Sequence, residues 1–168
     1  MSEFRAISPE KFDYSPFRMI GEEWMLITAE REGRVNAMTA SWGGLGVIWN
    51  KNVAYIFVRN SRYTKEFIDH SDTFSITFYP HKENAKMLGY MGSVSGRDED
   101  KVEKMGLTVK HYEDVPYFEE ASTVMICKKI SRIPIQPEYM PEEIKKASYA
   151  NEDYHDMYIG EIVQILQK

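Results

Sequence analysis

Phe74-Ser75-Ile76-Thr77-Phe78-Tyr79 is the clearest β-strand signal in the sequence. Apolar and hydroxyl side chains alternate along it, which places Phe74, Ile76 and Phe78 on one face of an extended chain. Pro80 follows and ends the strand, because proline has no N–H to donate to a sheet ladder. The segment predicts a strand with one face in the core of a sheet-rich protein.

Other apolar segments on both sides of this strand predict further strands, and turn residues separate them. They are residues 24–30, 35–42, 53–58, 122–130 and 157–166. The turn at residues 31–34 joins the first two of these segments in a hairpin. We expect a break at Gly43-Gly44, because two adjacent glycines permit tight backbone geometry, and a turn at residues 50–52.

Short helices are predicted at residues 63–70, 82–88 and 99–105 and directly after Pro141. A hydroxyl of Ser61 or Thr64 is available to cap the first helix. Gly89 ends the second helix, and the third begins after Asp98 and ends at Gly106. Residues 134–141 form an exposed, proline-rich link.

The order of these elements and the composition predict one small antiparallel barrel over residues 1–168. The chain is 43% hydrophobic and 13% aromatic, which suits a continuous core and a pleated sheet. Strands and helices do not alternate regularly, as they would in a doubly wound nucleotide fold. The fold class is therefore mainly β with short helices.

Charge and hydropathy exclude several classes of partner. The formal net charge of -5 is unfavourable for binding nucleic acid, which depends on many lysine and arginine contacts to phosphates. No segment approaches the roughly 20 apolar residues of a membrane span. The start, Met-Ser-Glu-Phe-Arg, lacks the basic and apolar regions of a signal peptide, so we expect a cytoplasmic protein.

Cysteine and histidine offer little for metal or nucleophilic chemistry. Cys127 is the only cysteine and follows apolar residues, which indicates a buried thiol in a strand. Lys128 and Lys129 could lower the pKa of that thiol, but we discount it as a nucleophile. The four histidines are scattered without zinc-ligand spacing, so no metal site is expected. They are His70, His81, His111 and His155.

Two segments concentrate groups that can bind an anion. The first is Asn36-Ala37-Met38-Thr39-Ala40-Ser41-Trp42, and the second is Arg59-Asn60-Ser61-Arg62-Tyr63-Thr64, between a buried strand and the start of a helix. Free N–H groups and the helix dipole favour negative charge at such a position. Arg59 and Arg62 add planar donor forks, which suit a phosphate monoester. The alternative is a solvated turn whose arginines pair with surface carboxylates.

The pairing of N-A-M-T-A-S-W with R-N-S-R-Y-T at this separation resembles the flavin reductase-like FMN-binding domain family, which includes flavoredoxin. The similarity covers residues 17–163. Weaker matches are Ser95-Gly96-Arg97-Asp98, followed by Asp100-Lys101, and the closing segment at residues 156–162. The resemblance implies a six-stranded antiparallel split β-barrel, usually a homodimer, with FMN in a groove near the subunit interface.

The resemblance also assigns binding residues. The flavin ring and ribityl chain would lie against Asn36, Ala37, Met38, Thr39, Ala40, Ser41 and Trp42. The phosphate would be held by Arg59, Ser61, Arg62 and Thr64, with Tyr63 either at the site or in the core. Ser95, Gly96, Arg97 and Lys101 would complete the site. His155 precedes the final strand and could approach the flavin edge, but it is left out of the set.

The activity that follows is FMN-dependent oxidoreduction, most simply a reductase that takes hydride from NADH or NADPH. No side chain is assigned a catalytic role, since the flavin ring carries the chemistry. An FMN-binding electron carrier that serves a partner protein is the alternative. A barrel that binds another ligand or only a protein partner is the third hypothesis.

Overall fold

The computed structural model describes residues 3–168, so the parts of the single-domain and signal-peptide expectations that concern Met1 and Ser2 lie outside the described residues. The strands are β1 Arg5–Ile7, β2 Met25–Arg31, β3 Arg34–Ala40, β4 Gly43–Ile48, β5 Lys51–Arg59, β6 Thr73–Phe78, β7 Val109–Tyr112, β8 Val115–Phe118, β9 Thr123–Pro134 and β10 His155–Gln167. The α-helices are α1 Pro16–Arg18, α2 Tyr63–His70, α3 His81–Ser93, α4 Lys101–Lys104 and α5 Glu142–Ser148. None of the helices in residues 3–168 is long and apolar enough to cross a membrane.

The main sheet is antiparallel throughout, with the strand order β3-β2-β6-β9-β10-β5-β4 and β1 paired to β10. Its end strands, β3 and β4, do not pair with each other, so the barrel is split. The predicted mainly β split barrel is confirmed. The sheet has eight strands because β1 and β4 join the six that the resemblance implied.

Strand β6 lies inside this sheet, between β2 and β9, and the reason is visible in its sequence. Phe74, Ile76 and Phe78 lie on the predicted face and are buried in the barrel core. The opposite face is also covered, because the Ser75 hydroxyl donates a hydrogen bond to the backbone oxygen of Pro116 in β8 (2.6 Å). The hairpin β7–β8, absent from the predicted elements, therefore covers the outer side of the sheet.

Local turn chemistry explains the elements that were predicted correctly. Glu32 and Gly33 both have positive φ (52° and 76°), the geometry of a tight hairpin turn, and they join β2 to β3 as expected. Helix α2 has the predicted bounds, and α5 follows Pro141. The turn before β5 is formed by Trp49 and Asn50 (φ 52° and 56°), one residue earlier than predicted.

Three expectations about glycine and capping are wrong. Gly43-Gly44 is not a break but begins β4, where a Cβ on Gly43 would lie 2.7 Å from the Tyr55 backbone oxygen. Helix α3 continues through Gly89 to Ser93, since a glycine inside a helix costs only about 1 kcal/mol relative to alanine. Helix α4 begins at Lys101, because the Asp100 side chain rather than Asp98 accepts from its first-turn N–H groups.

Candidate functional site

A groove in two parts lies where the ends of β3 and β5 meet the start of α2 and the end of α3. The larger part has a volume of about 460 Å³ and the smaller part about 150 Å³. Met38, Arg59 and Arg62 line both parts, so the two are continuous. This volume and shape suit an elongated small molecule.

The junction between β5 and α2 supplies one wall of the larger part. Arg62 is the N-cap of α2, and no side chain caps that helix. The predicted caps have other partners. The Thr64 hydroxyl accepts from Asn36 Nδ2 (2.8 Å), and the Ser61 hydroxyl donates to the Asp153 carboxylate (2.5 Å). The hydroxyls therefore tie the junction to two distant segments.

Asn36 and Ala37 support the groove from below and do not line it. The Asn36 side chain is buried between β3, α2 and the loop at residue 96. A Cβ on Gly96 would lie 2.2 Å from Asn36 Oδ1, so only glycine allows this close packing. The expectation that Asn36 and Ala37 face the ligand is therefore not supported by their positions.

Two cations line the larger part and have no carboxylate partner in residues 3–168. Lys101 is 3% exposed, and its Nζ donates to the Met91 backbone oxygen (2.8 Å). Arg62 Nη1 donates to the Gly92 backbone oxygen (2.7 Å). Burial, and then the charge of Arg62, lower the pKa of Lys101 to about 8. An anion in this part of the groove would offset the charge of Arg62 and favour the protonated form of Lys101.

Arg59 lies between the two parts and holds a segment from near the C-terminus. Its guanidinium donates to the backbone oxygens of Asp153 (2.8 Å) and Ser148 (3.1 Å). It also lies over the rings of Trp42 (5.9 Å) and Tyr149 (5.3 Å). These contacts bring residues 147–153 over the groove as its second wall.

The smaller part of the groove is lined by the end of β3 and by His155 at the start of β10. Trp42 is 45% exposed, and its ring lies 5.0 Å from that of His155. His155 is buried, and its Nδ1 lies 2.7 Å from the Tyr149 hydroxyl. Burial, and then Arg59, lower the pKa of His155 to about 4, so the imidazole is neutral near pH 7.

Comparison of the sequence with protein families identifies the family of the chain. The model of the flavin reductase like domain matches residues 17–168. The chain belongs to this family. The flavin reductase-like chain also shares 33% identity over 120 residues with the uncharacterized protein YddH of Escherichia coli K12, covering 68% of its own length. It spans 62% of that relative's length.

Solved structures give the same fold. An FMN-binding domain of a flavin reductase-like enzyme from Shewanella baltica superimposes with a TM-score of 0.71 at 20% identity, over 99% of this chain and 79% of that one. Flavoredoxin of Desulfovibrio vulgaris (Miyazaki F) gives a TM-score of 0.65 at 26% identity, over 84% and 67% of the two chains.

Most of the predicted binding residues of this flavin reductase-like chain do meet at the groove. Those that line it are Met38, Thr39, Ala40, Ser41, Trp42, Arg59, Ser61, Arg62, Tyr63, Thr64, Ser95, Gly96 and Lys101. Arg97 does not. Its guanidinium donates to the Ser61 backbone oxygen (3.2 Å) and to Glu66 (2.5 Å), and it lies over the Tyr63 ring. Arg97 therefore buttresses the turn from outside.

Sequence reasoning missed the wall formed by residues 147–153. Ala147, Ser148, Ala150, Asn151 and Asp153 line the larger part, together with Ser93 and Val94 at the end of α3. No periodicity marks residues 147–153, because their position depends on contacts with Arg59 and Ser61, about ninety residues away. His155 carried a weak signal, its place directly before the last predicted strand.

The remaining reactive side chains lie away from the groove. Cys127 is buried in β9, and burial raises the pKa of its thiol, so it is structural as expected. No group of three or more His, Cys, Asp or Glu side chains in residues 3–168 is arranged to hold a metal ion.

Proposed function

We propose that this chain binds FMN, with the phosphate in the larger part of the groove, near Lys101 and Arg62, and the isoalloxazine ring along the end of β3. The observation that carries the proposal is Lys101, a buried cation whose hydrogen-bond partner is a single backbone oxygen. A buried charge without an opposite charge is costly, so a site that keeps one is suited to an anionic ligand.

The phosphate would be held by the two free cations and by nearby hydroxyls. Lys101 and Arg62 lie in the larger part of the groove with the hydroxyls of Ser61, Thr64 and Ser95. Their donors to the Met91 and Gly92 oxygens leave further N–H groups on each side chain, since an ammonium has three donors and a guanidinium five. Charge-assisted bonds from two directions give a strong phosphate subsite.

The ring would be held largely by backbone groups of β3. This strand is an end strand and, among the described residues, pairs with β2 alone, so part of its N–H and C=O groups faces away from the sheet. The Thr39 hydroxyl donates to the Leu88 oxygen (2.6 Å), which fixes the strand end to α3. When bound, FMN supplies the hydride and electron chemistry of its ring, and the protein residues bind and orient it.

We further propose that the chain is a reductase that accepts hydride from NADH or NADPH. The support is the family to which the chain belongs, and the part of the groove where the ring would lie is bordered by the exposed Trp42. An electron carrier that lacks turnover of its own is the second candidate, favoured by the 26% identity to flavoredoxin.

Anaerobic mixing separates the two candidates. The purified protein is loaded with FMN and then mixed with NADH or NADPH, and the visible flavin bands are followed in time. If the protein is a reductase, its flavin bands bleach faster than those of free FMN mixed with the same nucleotide in the same buffer. Bands that persist with both nucleotides, but disappear with dithionite, would leave the carrier as the function.

We also propose a homodimer, built on β4, an end strand of the main sheet. Val47 (70% exposed) and Trp49 (58% exposed) lie on and next to β4, which pairs only with β5. Exposed apolar side chains along an unpaired strand edge are typical of a surface that is covered in the assembly. Light scattering coupled to size exclusion tests this, and a Trp49→Lys variant that becomes monomeric would locate the interface.

A further inference from the structure

An internal carboxylate occupies donors that lie beside the proposed phosphate subsite. Asp153 accepts from the Ser61 backbone N–H with Oδ1 (3.1 Å) and from the Ser61 hydroxyl with Oδ2 (2.5 Å). The same residue's backbone oxygen accepts from Arg59 Nη1 (2.8 Å). Ser61, Arg59 and Asp153 all line the larger part of the groove.

This arrangement is the one that a phosphate group would also favour. Ser61 lies directly before the N-cap of α2 and donates from its backbone N–H and its hydroxyl. The two oxygens of a carboxylate can accept both bonds, and so can two oxygens of a phosphate. The donors on Ser61 cannot serve both anions at once, because each N–H or O–H makes one strong bond. The two anions would also repel each other if both remained in the groove.

We propose that Asp153 competes internally with the phosphate of FMN and thereby keeps the flavin exchangeable. This inference rests on the proposed function and goes beyond it, because it predicts that the flavin behaves as a substrate that comes and goes. Only the Asp153 side chain must move when the phosphate arrives. Its backbone oxygen can stay on Arg59, so the wall formed by residues 147–153 remains in place.

The charge that matters is local, and the chain offers a matched control. Glu152 directly precedes Asp153, is exposed and does not line the groove. A Glu152→Gln variant therefore removes one negative charge from the same segment without freeing Ser61. Any effect of Asp153→Ala that Glu152→Gln also shows arises from the net charge and not from competition.

The test compares FMN and riboflavin binding to the wild-type chain, Asp153→Ala, Asp153→Asn and Glu152→Gln by flavin fluorescence. We expect Asp153→Ala to bind FMN about tenfold more tightly or better and to release it more slowly. Riboflavin, which has no phosphate, should bind all four proteins alike. Asp153→Asn keeps an acceptor for Ser61 but loses the charge, so its affinity for FMN should fall between those of the wild-type chain and Asp153→Ala. It replaces the alanine variant in the test if that variant does not fold.

Equal or weaker FMN binding by both Asp153 variants would overturn the inference, as would an equal gain in Glu152→Gln. Failure of the proposed function has a different signature, since the wild-type chain would then bind FMN no better than riboflavin. Inorganic phosphate gives a separate readout. It should raise the thermal midpoint of Asp153→Ala more than that of the wild-type chain, and an equal response would contradict the competition.

Discussion

Replacing Lys101 by methionine should weaken FMN binding while leaving the free protein as stable or more stable. Lys101 is buried with one carbonyl partner, and burial lowers its pKa from 10.5 to about 8. That difference corresponds to about 3 kcal/mol against the charged form. Methionine has a similar length without the charge, so this cost disappears.

The sign of the pH dependence follows from the direction of the shift. Because the folded pKa lies below the unfolded value, the unfolded chain holds a proton between about pH 8 and pH 10.5 that the folded chain has lost. The free energy of unfolding contributed by Lys101 therefore rises across this interval. Lys101→Met should lack that rise, which urea denaturation at pH 7 and pH 9.5 measures.

The effect of Lys101→Met on FMN binding is unfavourable, opposite to its effect on the stability of the free protein. A charge-assisted contact contributes about 1.5–3 kcal/mol, so Lys101→Met should weaken FMN binding about tenfold to a hundredfold. Riboflavin binding should change little. Lys104→Met is the matched control, because Lys104 lies on the same short helix and is exposed.

The reasoning is refuted if Lys101→Met weakens FMN and riboflavin equally. It is also refuted if the variant loses about 2 kcal/mol or more of unfolding free energy at pH 7, since Lys101 would then be a structural cation. Lys104→Met should match the wild-type chain in both assays.

Three further predictions test the support of the groove. Gly96→Ala should lower the free energy of unfolding by about 1–3 kcal/mol, because its Cβ would meet Asn36, whereas Gly89→Ala, with open space around it in α3, should raise it by up to about 1 kcal/mol. Acidification from pH 7 to pH 4.5 should lower the free energy of unfolding of His155→Gln by about 1–2 kcal/mol less than that of the wild-type chain. The reason is that the folded pKa of His155 is lowered, so acid favours the unfolded state of the wild-type chain. Asp156→Asn should cost about 3 kcal/mol in urea denaturation, since this buried carboxylate pairs with cations from both α2 and β9, and a loss below about 1 kcal/mol would contradict that role.

The sequence predicts the parts of the fold whose signals are local. Alternation marks β6, and a glycine that permits positive φ marks the turn at Gly33. Sheet pairing overrides the local preference at Gly43-Gly44, which belongs to β4 because the chain there runs close against β5. The same holds for Gly89, where tertiary packing of α3 outweighs a small loss of helix propensity.

In the site too, the sequence predicts the residues with local signals and misses those that depend on long-range contacts. The junction from Arg59 to Thr64 can be found from sequence, because a strand end, a helix start and two arginines are adjacent in the chain. The contact of Ser61 with Asp153 cannot, since it joins residues about ninety positions apart with no periodic pattern. The family resemblance assigns Arg97 to the ligand, but its ion pair with Glu66 holds it outside the groove.

Equilibrium titration of the wild-type chain with FMN, and in parallel with riboflavin, tests the central claim most directly. The visible spectrum and fluorescence of the flavin report binding to the groove. The account predicts saturable binding of one FMN per chain, about tenfold or more tighter than riboflavin because Lys101 and Arg62 hold the phosphate. No spectral change with FMN, or equal affinity for the two flavins, would contradict it.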